Sequence, residues 1–213
     1  LINMSEVEFQ QITLENPDFA QAIALYQQSF SPQEIIPIPI ISRSLKLGNI
    51  QLWGGYYQQR FALMSIVHPL PNSEFVLLGY LATVPHLRNI KIGSQFLEYI
   101  INVVKQDDKS LILEVEHPDF GENRQLKQRR VAFYQRLGAR IFQDIIYILP
   151  ALDGTTTTEM MLMIIGEKHQ DKLPKTLVQQ LIRDLYSEVY NCNPDDSIFH
   201  WIADIKHDIN LIS

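Results

Sequence analysis

Phe75 to Thr83 is an apolar run interrupted only by Gly79, and Val84-Pro85 closes it. Its length and composition suit a central strand covered on both faces. Beyond it, Ile92, Phe96, Leu97, Ile100, Val103 and Val104 recur at the spacing of one helical face. The passage from Pro85 to Ser94 links the two and carries Arg88, Lys91 and Gly93. Strand, basic loop and helix in this order point to an α/β chain. The order also suggests where an anion would sit, because the first N–H groups of a helix lack intrahelical partners and the dipole is positive there. Arg88 and Lys91 would add formal charge, and Gly93 would let the backbone approach a phosphate without an intervening side chain. A pyrophosphate is the natural guest, although many α/β proteins build the same arrangement for packing alone. The GK[ST] ending of a nucleotide P-loop and the spaced glycine triplet of a dinucleotide fold are both absent. Kinase and dehydrogenase readings therefore lose ground.

The remaining elements follow from periodicity and from turn residues. Val7 to Thr13 alternates as a short strand, and Asn16-Pro17-Asp18 starts a helix on which Phe19, Ile23, Tyr26 and Phe30 share a face. Pro37 and Pro39 make 32–48 a loop with a short helix near Ser42 to Leu47. Ile50 to Tyr57 and Phe61 to Val67 read as a hairpin turning near Gln58-Gln59-Arg60; Gly54-Gly55 could instead be the turn or a bulge, and the later turn is preferred. Leu111 to Glu116 forms a strand whose Glu114 and Glu116 share one face. A helix then ends at Leu137-Gly138, Ala139 to Leu149 forms a strand, and Thr155 to Ile165 the last strand. Leu173 to Tyr190 and Ser197 to Asp208 have helical periodicity and make a helical tail. The expected fold is α/β (α+β), with a mixed, largely antiparallel sheet flanked by helices. The expected division is a domain over 1–166 and a helical extension over 167–213.

Composition narrows the function. With 213 residues, 46% of them hydrophobic and 20% charged, the chain is long enough for one well-buried core. No apolar stretch approaches the ~18 residues that a bilayer-crossing helix needs, so no membrane association is expected. Leu1 to Gln10 carries Glu6 and Glu8 without the basic start of a secretory signal, and a cytoplasmic location is expected. The net charge of -6 argues against nucleic acid as a partner. Cys192 is the sole cysteine, which excludes an intramolecular disulfide and a cysteine-rich zinc site. His200 and His207 have no nearby third ligand in sequence, so no metal is expected.

Thr83-Val84-Pro85-His86-Leu87-Arg88-Asn89-Ile90-Lys91-Ile92-Gly93-Ser94 resembles the acetyl-CoA signature V-x-P-x-x-R-x-x-G-x-G/A of the GNAT superfamily. Arg88 and Gly93 fall on the pattern, whereas Lys91 stands where the first glycine is usual. Downstream, Tyr134 to Ala139 resembles the family's Y-x-x-x-G-F helix ending: Tyr134 and Gly138 fit, and Ala139 replaces the usual Phe. Lys127 stands where an asparagine often contacts CoA, so that contact is not carried over. The two motifs and the strand between them cover roughly Phe75 to Phe142, and the helical extension has no counterpart in the minimal pattern.

The resemblance implies an acetyl-CoA-dependent N-acetyltransferase of a subfamily with a C-terminal helical extension. It implies acetyl-CoA as acyl donor, held by Leu81, Ala82, Thr83, Arg88, Asn89, Ile90, Lys91, Ile92, Gly93 and Ser94. A backbone N–H near Ala82 or Thr83 would stabilise the oxyanion formed when a neutral primary amine attacks the thioester. Tyr134 is the candidate acid for the departing thiolate, since a phenol of ordinary pKa ~10 stays protonated at neutral pH. Its plain alternative is a helix tyrosine closing the core. Glu116 is preferred over Glu114 as the base, against the alternative of exposed carboxylates paired with Arg129 or Arg130. His86 and His117 lie in nearby loops and could titrate usefully, although surface histidines are ordinary. The acceptor would be a small or peptidyl amine. Trp53, Tyr56, Tyr57 and Trp201 could line its wall, or serve the core or a homodimer contact. The alternative function is a non-catalytic acyl-CoA sensor or interaction module on the same fold.

Overall fold

The computed structural model describes residues 7–32, 34–152, 154, 156–169 and 171–213. It is an α/β chain with a largely antiparallel sheet flanked by helices, as the sequence pattern predicts. The chain divides into two compact units, one of Leu1–Pro69 with Leu78–Val103 and the other of Leu70–Leu77 with Val104–Ser213. Among the described residues no helix is long and apolar enough to cross a membrane.

In the first unit, β1 (Val7–Ile12), β2 (Gln51–Tyr57), β3 (Arg60–Pro69) and the Leu78–Thr83 part of β4 (Phe75–Thr83) lie side by side in chain order. Helix α1 (Phe19–Ser29) and helix α2 (Ile38–Leu47) bury Ala22, Leu25, Tyr26 and Ile41 in a cluster with Ile12, Leu52, Met64 and Ile66 of the sheet. Each fully buried aliphatic or aromatic side chain contributes roughly 1.5–3 kcal/mol. Helix α3 (Ile92–Gln106) sets Phe96 and Tyr99 against Phe9 and Trp53. Asp18 does not cap α1 with its side chain; its carboxylate accepts the Tyr56 hydroxyl at 2.7 Å instead. The hairpin turns at Gln58 and Gln59, both left-handed, and the pairing slips between Gly55 and Tyr56. The later turn is the one observed, and the glycines make a bulge within β2, not the turn. Helix α2 is longer than expected, because Pro37 precedes its first residue and Pro39 occupies its first turn, where a missing N–H removes no helical bond.

In the second unit the strand order is β5 (Ser110–Glu116), β8 (Thr158–Ile165), β6 (Arg140–Phe142), β10 (Ile209–Ile212) and β9 (Lys172–Leu173), and β7 (Tyr147–Leu149) also pairs with β8. The strand expected over Ala139 to Leu149 is two short strands. Arg140 and Ile141 pair with Ile164 and Met163, whereas Tyr147 to Leu149 pair with Met160 to Thr158, so the residues between are looped out around left-handed Asp144. Thr155, the expected start of the next strand, lies outside the described residues. That strand is not the last, because β9 and β10 follow it. Helix α4 (Arg124–Arg136) ends at left-handed Gly138, as its sequence announces. The 167–213 extension lies within this unit. Helix α5 (Lys175–Asp184), a π-helical turn over Leu185–Val189 and a 3₁₀ helix over Ser197–Asp204 bury Val178, Leu181, Ile182, Tyr186 and Ile202 in one core with Ile112, Leu162 and Ile164. The second tail helix was expected to reach Asp208, but the chain leaves the 3₁₀ conformation and enters β10.

Candidate functional site

Between β4 and α3 the chain is not an open loop. Pro85–Ile90 winds as a 3₁₀ helix, with proline in its first turn, and ends on Lys91 at φ 60° and ψ 21°. That left-handed residue breaks the 3₁₀ helix from α3 and re-aims the chain, so α3 starts at Ile92. Glycine adopts this conformation freely and a lysine does so at a cost of roughly 1–2 kcal/mol, which explains the glycine usual at this point of the resembling signature. The Gln95 N–H bonds back to the Lys91 carbonyl at 3.0 Å, and helix geometry leaves the N–H groups of the preceding turn without intrahelical partners.

Side chains here carry positive charge. Arg88, Asn89 and Lys91 are exposed, and among the described residues neither cation forms an ion pair. The Arg88 Nε donates to the Thr83 carbonyl at 3.4 Å, which folds the guanidinium back toward the end of β4. A Cβ placed on Gly93 would come no closer than 3.5 Å to another atom, and that atom is Thr83 Oγ1. A side chain at position 93 would thus meet Thr83 at ordinary van der Waals distance, and glycine keeps that place clear beside the backbone. Ala82 and Ile92 are buried, whereas Leu81, Thr83, Ile90 and Ser94 are half-buried.

Four residues weighed for chemistry belong to the second unit. Tyr134 lies on α4 with its ring against Phe133; burial raises its pKa and the nearby Arg130 charge lowers it, with a net rise. Its hydroxyl has no hydrogen-bond partner among the described residues, so it is a protonated phenol with its proton uncommitted. His117 stays in its own loop, where its ring nitrogen Nδ1 accepts the Asp119 N–H at 3.2 Å.

The two glutamates of β5 prove chemically distinct. Glu116 is paired on both oxygens, Oε2 with Arg130 at 2.9 Å and Oε1 with buried Lys127 at 3.4 Å. Lys127 also donates to the Phe120 carbonyl at 2.8 Å, which fixes its ammonium beside the carboxylate. Glu114 has no cation among the described residues. The Tyr190 hydroxyl donates to its Oε2, while Oε1 and the facing Tyr147 hydroxyl are buried without a partner. Burial pushes the Glu114 carboxyl up to about 7, against the lowering effect of the Tyr190 and Tyr147 hydroxyls. Sequence reading placed both glutamates on one face but could not separate them. The tyrosine that separates them is 76 residues away along the chain, and no local signal announces it.

Elsewhere, His68 on β3 is fully enclosed, and burial lowers its pKa to about 4. Glu74 bonds Lys168 and His169, and these bonds bring its carboxyl below the usual range despite burial, which acts to raise it. Among the described residues no three His, Cys, Asp or Glu side chains gather where they could hold a metal.

No protein-family model matches the sequence, and no curated protein sequence matches it either. The fold, however, is that of the GNAT acetyltransferases. A structure from Bacteroides thetaiotaomicron, assigned to the GNAT family of acetyltransferases, is similar over 87% of this chain and 99% of its own, with a TM-score of 0.75 and 24% identity. A GNAT family acetyltransferase from Elizabethkingia anophelis with acetyl-CoA bound matches 76% of this chain and 99% of its own, at a TM-score of 0.53 and 16% identity. Naa50 of Arabidopsis thaliana, in complex with a bisubstrate analogue, matches the same shares at a TM-score of 0.55 and 16% identity.

Proposed function

We propose that the protein is an N-acyltransferase that moves the acetyl group of acetyl-CoA to a primary amine by direct attack in a ternary complex. The observation that carries this reading is the start of α3. Two exposed cations, Arg88 and Lys91, without acidic partners among the described residues, flank a helix N-terminus at which Gly93 places no side chain over the backbone. Partial positive charge from the helix, formal charge from the side chains and free N–H donors suit the pyrophosphate of a CoA thioester. The likeness to a GNAT structure containing acetyl-CoA supports the same ligand class.

The resemblance implies the roles of these residues. The amine lone pair attacks the thioester carbon, the C–N bond forms, and the negative charge on oxygen is met by a backbone N–H near Ala82 or Thr83. The C–S bond then breaks and Tyr134 gives its proton to the departing thiolate. The surplus proton of the attacking amine goes to a carboxylate. For that role we take Glu114 in place of Glu116: a carboxyl that titrates near 7 can both accept and return a proton at neutral pH, whereas Glu116 is engaged by two cations. Glu116 then serves to hold Lys127 and Arg130 in place.

The test is thermal melting of the wild type, Arg88→Ala and Gly93→Glu with and without acetyl-CoA, followed by thiol release with a panel of amines. Ligand at a hundredfold excess over Kd stabilises the wild type by about 2.7 kcal/mol, and both variants lose the effect. Absence of stabilisation at millimolar acetyl-CoA would overturn the reading. Stabilisation without thiol release for any amine would leave an acyl-CoA binder.

A further inference from the structure

The C-terminal extension reaches a residue of the reaction. Tyr190 follows the π-helical turn Leu185–Val189, and its own N–H bonds back to the Leu185 carbonyl at 3.2 Å, while Cys192 N–H bonds the Tyr186 carbonyl at 2.8 Å. These bonds fix the end of the turn. A π-helical turn holds one more residue than an α-helical one, so it rotates the following side chains relative to α5. Tyr186 and Tyr190 both leave this segment toward β5 and β7. Tyr186 donates to the Ile148 carbonyl at 2.8 Å, accepts the Trp201 indole N–H at 3.1 Å and stacks on Tyr147. Tyr190 donates to Glu114.

The groups seen around Glu114 among the described residues come from these elements. Tyr190 comes from the tail, Tyr147 from β7, and Tyr186, farther off, feels the same charge. On β8 the residue opposite is the uncharged Leu162. From α4, Lys127 and Arg130 pair with Glu116. The thiol of Cys192, half-buried beside Tyr186, is pushed up by burial and stays uncharged at neutral pH. Tyr190 therefore holds Oε2, and the Tyr147 hydroxyl lies beside the carboxylate, while Oε1 has no partner in full hydrogen-bond geometry among the described residues.

We propose that the C-terminal extension sets the ionisation of the reaction's carboxylate: Tyr190 is a positioning residue that holds Oε2 of Glu114. The role in transfer rests on the acyltransferase reading above; the control of ionisation does not. A hydroxyl donating to a carboxylate favours the charged form, so its removal makes Glu114 harder to ionise.

The experiment compares wild type with Tyr190→Phe, which removes one oxygen and keeps the ring, with near-UV circular dichroism as the check on packing. First, the Glu114 carboxyl is titrated by carbon-13 NMR, assigned by its loss in Glu114→Gln. The midpoint is expected to rise by roughly one pH unit in Tyr190→Phe, and an unmoved midpoint overturns the proposal. Second, the pH dependence of thiol release is recorded for both proteins. Its acid limb is expected to move with the NMR midpoint, and a limb that stays put while the midpoint moves overturns the positioning role. If the wild type releases no thiol with any amine, the acyltransferase reading fails, and the NMR midpoint alone decides whether the extension controls Glu114.

Discussion

Replacing Glu114 with Gln should change not the stability itself so much as its dependence on pH. Burial holds the folded-state carboxyl near 7 against an ordinary 4.5. A group raised in this way keeps its proton in the folded chain while the unfolded chain has already lost it. Below pH 4.5 both states are protonated and nothing is lost. Between 4.5 and 7 the unfolded state gains, and above 7 the full cost of charging a buried carboxylate is present. The interval corresponds to about 3 kcal/mol. His68 works in the opposite direction, because burial holds its folded-state value near 4 against an ordinary 6.5. Its contribution is complete above 6.5 and disappears as the pH falls toward 4, again over about 3 kcal/mol. In the wild type the two slopes oppose each other between pH 4.5 and 6.5, and these two groups together leave stability almost level there. Glu114→Gln removes one slope and exposes the other. The difference in stability between variant and wild type should therefore grow by about 3 kcal/mol from pH 4 to pH 8 in favour of the variant. In a chain of this size that is roughly 6–12 °C of relative melting temperature. Urea unfolding at half-unit pH steps measures it, and any constant effect of the amide on packing drops out of the comparison. A difference that stays flat across this range would refute the assignment of a buried, uncompensated carboxyl to Glu114.

Two further substitutions probe backbone geometry. Lys91→Gly should raise the urea midpoint by about 0.5–1 kcal/mol, because it relieves a left-handed lysine at φ 60° and loses part of that gain to unfolded-state entropy; a fall in the midpoint would refute the strain. Gly79→Ala should destabilise by about 1–3 kcal/mol, since its Cβ would lie 2.8 Å from Nε2 of the enclosed His68. Much of that loss should disappear in a His68→Ala background, and simple additivity of the two changes would show that the contact is not responsible.

The fold was legible where a segment's own pattern decides its state. The apolar run Phe75 to Thr83 became a strand with those bounds, and Ile92, Phe96, Leu97 and Ile100 went into the core from one helix face. Gly138 ended its helix with a positive φ because little else tolerates that turn. Legibility failed where a distant partner decides. Ala139 to Leu149 has strand composition throughout, yet its pairing with β8 accommodates only its two ends. The last residues of the tail looked like more helix, but β6 offers Ile212 and Leu211 an open edge at Ile141 and Phe142. The candidate site shows the same division. Arg88, Lys91 and Gly93 could be found in sequence because an anion loop is local. The difference between Glu114 and Glu116 could not be found, because it depends on Tyr190 from the tail and on Lys127 and Arg130 from α4.

Lys91, Glu114 and His68 each break an ordinary rule among the described residues, and they do not carry equal weight. A lysine sits where glycine is cheaper, a carboxyl is buried without a cation, and a histidine is buried with Nε2 unpartnered. Natural chains retain such features where something offsets them, and function is one such offset. Strain or burial alone is weak evidence, as His68 shows: it lies outside both motifs, and close packing against Gly79 is sufficient reason for its state. Lys91 is different, because its strain coincides with an exposed positive charge beside a helix N-terminus. Packing would be served better by glycine there, so the charge is the feature that a ligand would explain. Glu114 is different again. Gln in its place would keep a hydrogen bond to Tyr190 and avoid the charging cost, so what the carboxyl adds over the amide is the capacity to exchange a proton near neutral pH. Proton exchange has no evident structural use, so the Glu114 titration and the thiol-release assay together are what would separate a working transferase from a scaffold that merely shares its fold.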